Sequence, residues 1–206
     1  VYVVAVSGGV DSMVLLDVLR QQSGVRLVVA HFDHGIRANS DVDRVLVQQT
    51  AQRHKLPFVY HEGNLGIGAS EDVARKARYD FLHQVKRASK ADAIITAHHH
   101  NDVLETAIIN MLRGTGRKGL TSLHSRETIH RPLLHLEKSH LRQYAQDQGL
   151  VWNEDETNTD TKYLRNHVRH NLLSRFSSED RQKLAEIIRK AASVNQELDQ
   201  QLTHYL

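Results

Sequence analysis

Six residues near the start of the chain, Ser7-Gly8-Gly9-Val10-Asp11-Ser12, bring two hydroxyls, two glycines and one carboxylate into one short stretch. Glycines let backbone N–H groups approach a ligand closely, and the start of a helix attracts anions. The hydroxyls of Ser7 and Ser12 add donors for phosphate oxygens. Asp11 fits that set only with a cation between it and the phosphates, the arrangement of a magnesium-bound nucleotide. No G-K-[ST] follows the glycines, which excludes the common phosphate loop. The dinucleotide fingerprint is excluded as well, because it needs a third glycine where this chain has Ser12.

Three further groups of residues could do chemistry. His31-Phe32-Asp33-His34-Gly35-Ile36-Arg37 gathers polar groups where an apolar run ends. Arg75 and Arg78, three apart with Tyr79 following, project from one side of a helix, as planar phosphate contacts require. Solvated arginines would read the same way. His98, Asp102 and Glu105 have the i, i+4, i+7 spacing of one helical stripe. An imidazole and two carboxylates in that stripe could hold Mg²⁺, bind an ammonium, or act as acid and base. The H-E-x-x-H spacing of zinc proteases is absent.

The elements that must position these groups follow from hydrophobic periodicity. Val1–Val6 is a continuous β-branched run, the pattern of a strand buried on both faces of a parallel sheet. Apolar runs at Val25–His31, Leu56–His61 and Asp92–Thr96 predict three more strands. Helical spacing follows each: Met13–Leu19, then a helix capped by Asn39 or Ser40 and running to about Lys55 with Val42, Val45, Leu46 and Gln49 inward. Gly63–Gly68 reads as a mobile loop. Ser70 caps a third helix, with Val73, Ala74, Ala77, Phe81, Leu82 and Val85 on one face. Val103, Ala107, Ile108, Met111 and Leu112 are the buried face of a fourth, which runs into the basic loop Arg113–Gly119. The tail from Ser178 reads as one more helix, with Leu184, Ile187, Ile188, Ala191, Val194 and Leu198 in a stripe. The alternation predicts an α/β fold: a doubly wound parallel sheet of about five strands, then a C-terminal helical segment. Ligands in such sheets sit outside the carboxyl ends of the strands, and the His31–Arg37 run falls just past the end of the second strand, placed for a site.

Composition narrows the class. At 206 residues the chain is one sizeable domain with room for a small appendage, and 177–206 is assigned as that appendage, after a catalytic domain at 1–176. No window approaches eighteen consecutive apolar residues, so no membrane span is expected. The apolar start runs straight into the polar loop, unlike a signal peptide, and valine rather than methionine opens the sequence, so a few residues are expected to precede it. There is no cysteine, hence no disulfide, thiolate metal site or cysteine nucleophile. The balance of 27 basic against 24 acidic residues says little, but the distribution says more. Arg113, Arg117, Lys118, Arg126 and Arg131 crowd one region, and Lys162, Arg165, Arg169 and Arg175 another. Such clusters suit a phosphate backbone, or are simply solvated faces.

The Ser7–Ser12 stretch resembles the S-G-G-x-D-S loop of the N-type ATP pyrophosphatases. The remaining motifs narrow the resemblance to the tRNA(Ile)-lysidine synthetases of that PP-loop class. Thr96-Ala97-His98-His99 with Asp102, Glu105 and Thr106 looks like their T-A-H-H-x-x-D-x-x-E-T, and His31 to Arg37 is similar to their H-x-D-H-x-x-R. Arg75–Tyr79 resembles R-x-x-R-Y, Arg113–Gly116 resembles R-G-x-G, and Arg131–Leu134 resembles R-P-L-L. Trp152, Asp155, Asn158, Asp160, Tyr163, Arg165, Asn166 and Arg169 follow their last motif. Seven motifs occur in family order from Val3 to about Leu173, most of the chain.

The resemblance implies the adenine nucleotide alpha hydrolase-like fold and a cytoplasmic ligase. Its reaction adenylylates the wobble cytidine C2 oxygen in the CAU anticodon of tRNA(Ile), and the ε-amine of free L-lysine then displaces AMP. Carried over by motif, Ser7, Gly8, Gly9, Asp11 and Ser12 hold the pyrophosphate of ATP, with Asp11 on Mg²⁺, while Ala5, His31 and Phe32 lie near adenosine. Arg78, His98, Asp102 and Glu105 surround the reacting centre, and Arg165 and Arg169 neutralise charge at the α-phosphate. Arg113, Arg117, Lys118, Lys162 and Arg175 contact tRNA. A tRNA 2-thiolation enzyme of the same loop class works through cysteines, which this sequence lacks, and amidotransferase-type synthetases share only the loop. A non-catalytic, nucleotide-gated RNA-binding module is the alternative of another class, against which the intact Asp11, Asp102 and Glu105 weigh. Longer family members carry C-terminal tRNA-gripping domains, so this chain is either an N-terminal piece or a short form acting as a homodimer.

Overall fold

The computed structural model describes residues 1–35, 40–63, 66, 70–154 and 164–204, without the side chains of Ser40 and His204. Arg37, the Asn39 or Ser40 cap, most of the Gly63–Gly68 loop, and Asp155, Asn158, Asp160, Lys162 and Tyr163 therefore lie outside the described residues or side chains. The chain divides into two compact units: Val1–His99 with Ser125–Asp155, and His100–His124 with Glu156–Leu206.

The first unit is built on a five-stranded sheet in the order β3-β2-β1-β4-β5. Its strands are β1 (Tyr2–Ala5), β2 (Leu27–Asp33), β3 (Phe58–Glu62), β4 (Ala93–Ile95) and β5 (Ile129–His130). Each described pairing is parallel. The β-branched run that predicts a doubly buried strand is β1, where Val3 and Val4 are fully buried on opposite faces. On one face Val4 and Val6 pack with α1 (Val10–Arg20), α2 (Ser40–Arg53) and α6 (Lys138–Asp147). On the other, Val3, Val28 and Ile94 pack with Phe81, Leu82 and Val85 of α3 (Glu71–Ala88). Helices on both faces make the sheet doubly wound, as its strand–helix alternation predicts. The chain steps outward from β1 to β3, then returns to add β4 on the other side of β1. The carboxyl ends of β1 and β4 are therefore neighbours at the topological switch point, in register at Val4 and Ile95.

Two helical faces are rotated from the predicted ones. On α2 the inward residues are Val47 and Ala51, while Val42 and Val45 are exposed. The inner side is centred on Val47 and Ala51, with Leu46 partly buried against the same core, so the helix is turned away from the predicted stripe at Val42 and Val45. On α3 Ser70 caps as predicted, accepting from the Val73 N–H at 3.3 Å, but Val73 itself is exposed in the first turn.

The second unit is helical: α4 (His100–Leu112), α5 (Arg117–Leu120), α7 (Leu164–His167) and α8 (Ser178–His204). Its core joins Leu104, Ala107, Ile108 and Ile109 of α4 to Val168, Leu173, Ala185 and Ile188. Met111 and Leu112, expected inside, are exposed at the C-terminal end of α4, and Leu104 and Ile109 take their places. On α8 the predicted stripe holds only in part. Ile188 is buried, but Ile187, Val194 and Leu198 face solvent and Asn195 is buried instead. Asn195 is drawn in by polar partners, donating to the Arg117 carbonyl at 3.0 Å and to Thr121 Oγ1 at 2.9 Å.

Candidate functional site

The Ser7–Ser12 loop connects β1 to α1 and closes on itself through hydroxyls. Ser12 Oγ accepts from the Ser7 N–H at 3.1 Å and donates to the Gly9 carbonyl at 2.9 Å, while Ser7 Oγ lies 3.2 Å from Ser12 Oγ. Gly8 has φ +95°, a left-handed conformation that a side chain would strain. Gly9 is the extended N-cap of α1, with no side chain capping it, so the first N–H groups of the helix open toward the loop. Asp11 stands in that first turn, where the helix dipole favours a carboxylate.

An imidazole and an ammonium flank Asp11. His99 Nε2 lies 3.5 Å from Asp11 Oδ2, and Lys138 Nζ, on the first residue of α6, lies 3.8 Å from the same oxygen. The strand order explains His99: it leaves β4 beside the strand that feeds the loop. Below the loop, His31 is buried, with its Nδ1 2.8 Å from the Val6 carbonyl. Burial holds the His31 pKa below its usual value, partly offset by the bond to Val6 and by Asp33. A neutral imidazole therefore donates to the last residue before Ser7.

A Mg²⁺ ion suits this donor set. It favours one or two carboxylates supplemented by phosphate oxygens, and Asp11 is a hard oxygen ligand within the phosphate-binding loop. Among the described residues no cluster of three or more metal-ligating side chains forms, so an all-protein cage is not built there.

In the second unit, α4 carries Glu105 with only 1% of its surface exposed. Arg169 grips it with two parallel bonds, Nε to Oε1 at 2.6 Å and Nη2 to Oε2 at 2.9 Å. Arg169 stands in a π-helical turn, Val168–Leu172, between α7 and a 3₁₀ turn at Leu173–Arg175. Such widened turns recur at functional sites because they redirect side chains that a regular helix would carry past. A cleft of about 150 Å³ opens on the pair, lined also by Asn101, Leu104, Ser174 and Arg181. Arg165 Nη2 contacts Thr106 Oγ1 at 3.4 Å.

The sequence of residues 1–176 matches the PP-loop domain. The chain belongs to the PP-loop family. It is 38% identical over 192 residues to a tRNA(Ile)-lysidine synthase of Solibacter usitatus, covering 92% of this chain and 44% of that protein. It is 42% identical over 174 residues to the synthase of Thermus thermophilus, covering 81% of this chain and 34% of that one. The chain thus spans about half the length, or less, of these curated relatives. Its fold is similar to a U34-tRNA thiolase from Methanococcus maripaludis, with TM-score 0.70, 16% identity, 94% of this chain and 71% of that one.

Within this PP-loop chain the structure brings together Ser7, Gly8, Gly9, Asp11 and Ser12, with half-buried Ala5 at the end of β1. His31, Phe32 and Asp33 are not past their strand but inside it and buried, since β2 runs to Asp33, paired with β3 that far and with β1 as far as Ala30. Phe32 packs so closely on Gly63 that a Cβ there would lie 2.6 Å from its ring. His98 is not on the stripe of Asp102 and Glu105, because α4 begins only at His100. His98 stands in the preceding turn, its Nδ1 2.8 Å from Thr96 Oγ1. The helix keeps Asp102, half-buried, and Glu105. Arg75 and Arg78 both set their guanidinium groups near the Tyr79 ring, at 5.1 and 5.5 Å from its centroid. Arg131 donates to the Tyr79 hydroxyl at 3.2 Å and is itself buried.

The expected basic cluster therefore divides. Arg126 and Arg131 belong to the first unit, and Arg113, Arg117 and Lys118 to the second. Arg117 and Lys118 do not form a flexible loop: they open α5, and both are paired to α8. Arg117 reaches Asn195 Oδ1 at 2.9 Å and Asp199 Oδ1 at 2.8 Å, and Lys118 reaches Asp199 Oδ2 at 3.2 Å. Hydrogen bonds from Arg117 and Lys118 hold the Asp199 carboxyl below the usual range. Arg113 and Arg175 are exposed. Sequence reading missed four residues around the loop: His99, Lys138, Asp43 and Asn153. His99 stands beside His98 in the sequence, but helical spacing favours its neighbour. Lys138 carries no local signal, since only the docking of α6 on α1 brings it to Asp11.

Proposed function

We propose that this chain carries the catalytic part of a tRNA(Ile)-lysidine synthetase, an ATP-dependent, AMP- and pyrophosphate-forming ligase of the cytoplasm. The observation that carries the proposal is the PP-loop with Asp11 flanked by His99 and Lys138 at the carboxyl ends of β1 and β4. The identity to lysidine synthases across most of this chain supports the choice of substrate. The wobble cytidine C2 oxygen of a CAU anticodon attacks the α-phosphorus of ATP, and the α–β phosphoanhydride bond breaks to release pyrophosphate. The ε-amine of free lysine then attacks C2, the C2–O bond breaks, AMP leaves and the amine loses a proton.

In this reading Ser7, Gly8, Gly9 and Ser12 donate to the departing pyrophosphate. Asp11 would hold Mg²⁺, which when bound would neutralise developing phosphate charge. Lys138 adds positive charge at the same carboxylate, and the His99 ring lies beside it. Glu105 has both oxygens on Arg169, so ammonium recognition falls to Asp102, with the Glu105–Arg169 pair orienting its surroundings. Arg78, His98 and Arg165 are assigned to the reacting phosphate and cytidine, and Arg113, Arg117, Lys118, Lys162 and Arg175 to the RNA backbone.

The test supplies purified chain with ATP, Mg²⁺, lysine and a CAU-anticodon tRNA, and follows pyrophosphate and the nucleoside at the wobble position. Lysidine formation supports the proposal. Pyrophosphate release with an unmodified cytidine would point to another adenylylating PP-loop enzyme. ATP binding without any turnover would favour the nucleotide-gated binding module.

A further inference from the structure

The PP-loop is held from outside by a pair of residues that the proposed reaction does not use. Asn153 follows α6 and donates its backbone N–H to the Gly8 carbonyl at 3.0 Å. Its side-chain Nδ2 donates to Asp43 Oδ1 at 2.7 Å, on the first turn of α2. Asp43 in turn presses on Gly8: a Cβ built there would lie 3.1 Å from Asp43 Oδ1 and 3.2 Å from its Cβ. Gly8 is thus gripped through its carbonyl by one segment and through its Cα by another, at the residue whose left-handed φ sets the direction of the following N–H groups.

The chemistry of the pair is informative. A carboxylate close to a loop that binds polyanions repels its own ligand, and an aliphatic residue could fill the same space without that penalty. Asp43 supplies an acceptor for Asn153 that an aliphatic residue lacks. Asn153 is the bridge, since one residue bonds the loop with its main chain and α2 with its side chain. Both residues lie in the first unit with the loop.

We propose that Asp43 and Asn153 are positioning residues for the PP-loop, fixing Gly8 so that the loop amides are aimed before the phosphates arrive. The inference rests on the nucleotide-binding reading of the loop and adds the device that pre-organises it.

The experiment measures dissociation constants of the 206-residue chain for ATP with Mg²⁺, for inorganic pyrophosphate and for AMP, alongside amide exchange of residues 7–12. Losing a hydrogen bond to a charged acceptor should weaken ATP and pyrophosphate binding about tenfold in Asn153→Ala. AMP, which lacks the β- and γ-phosphates, should bind as before, and exchange at Gly8 and Gly9 should quicken. Asp43→Leu should behave like Asn153→Ala. Asp43→Asn keeps an acceptor and removes the repelling charge, so it should bind ATP at least as tightly as the parent. The reciprocal pair Asp43→Asn with Asn153→Asp, which swaps donor and acceptor, should recover most of the loss. Parental ATP affinity and exchange rates in Asn153→Ala would overturn the proposal. So would an equal loss of AMP, ATP and thermal stability, which marks general damage. If the parent binds neither ATP nor pyrophosphate, the nucleotide reading fails, and the pre-organising role fails with it.

Discussion

Replacing Arg169 by alanine tests the buried ion pair of the second unit. Glu105 is 1% exposed and directs both oxygens at one guanidinium group. Removing Arg169 leaves a desolvated carboxylate without its partner, a change that costs about 3–5 kcal/mol in comparable buried pairs. For a chain of this size each kcal/mol lowers Tm by roughly 2–4 °C, so Arg169→Ala should fall by about 6–20 °C. Glu105→Gln should cost far less, because Arg169 keeps 28% of its side chain exposed and can turn to water. The asymmetry between the two variants is the diagnostic result. The probe is far-UV circular dichroism, since the single tryptophan, Trp152, lies in the other unit. A loss under about 1 kcal/mol for Arg169→Ala would mean that water reaches Glu105, and the argument for a locked carboxylate would fall.

Three other outcomes are expected. Asp11→Asn should abolish Mg²⁺-dependent pyrophosphate release with Tm within about 2 °C of the parent, and unaltered turnover would remove Asp11 from the metal. Arg117→Ala with Lys118→Ala should weaken tRNA binding and flatten its log–log salt slope by about one to two. Asp199→Ala, which releases both cations, should do the opposite, and if neither variant moves the slope then α5 does not meet the RNA. Burial keeps the folded-state pKa of His31 below 6.5, and His54 is lowered too, by burial and then Arg20. The unfolded chain therefore binds protons first as pH falls. Stability should be full above about 6.5 and decline steadily below it; calorimetry between pH 7.5 and 5.5 should show a drop that His31→Asn reduces, and a flat profile would refute it.

The sheet and the loop were readable in the sequence because their signals are local. Val1–Val6 is apolar at every position, which only a strand covered on both faces tolerates, and the glycines and serines follow within the same stretch. Helical faces were less readable. On α2 Val47 and Ala51 turn inward rather than Val42 and Val45, and on α8 the polar Asn195 is buried against Arg117 and Thr121. No residue in either helix announces that choice. The end of a helix is equally non-local. His98 has ideal spacing with Asp102 and Glu105, yet α4 starts two residues later, after a turn in which His98 meets Thr96.

That short turn has a chemical consequence. Had the helix begun at Ala97, His98 would have joined the carboxylate stripe and His99 would have faced elsewhere. Because the chain leaves β4 in an extended turn, His99 instead reaches Asp11, the carboxylate of the neighbouring loop. The parallel pairing of β1 and β4 fixes the distance between those two strand ends, and the turn decides which imidazole spans it. Lys138 arrives at the same oxygen by a third route, the docking of α6 on α1 through Leu141 and Ala145 and through the Tyr144 hydroxyl on Asp17 at 2.8 Å. The polar surroundings of Asp11 are therefore assembled from sequence positions 99 and 138, each placed by a different element. Sequence spacing carries the loop, but its surroundings come from the sheet order, the segment after β4 and the docking of α6.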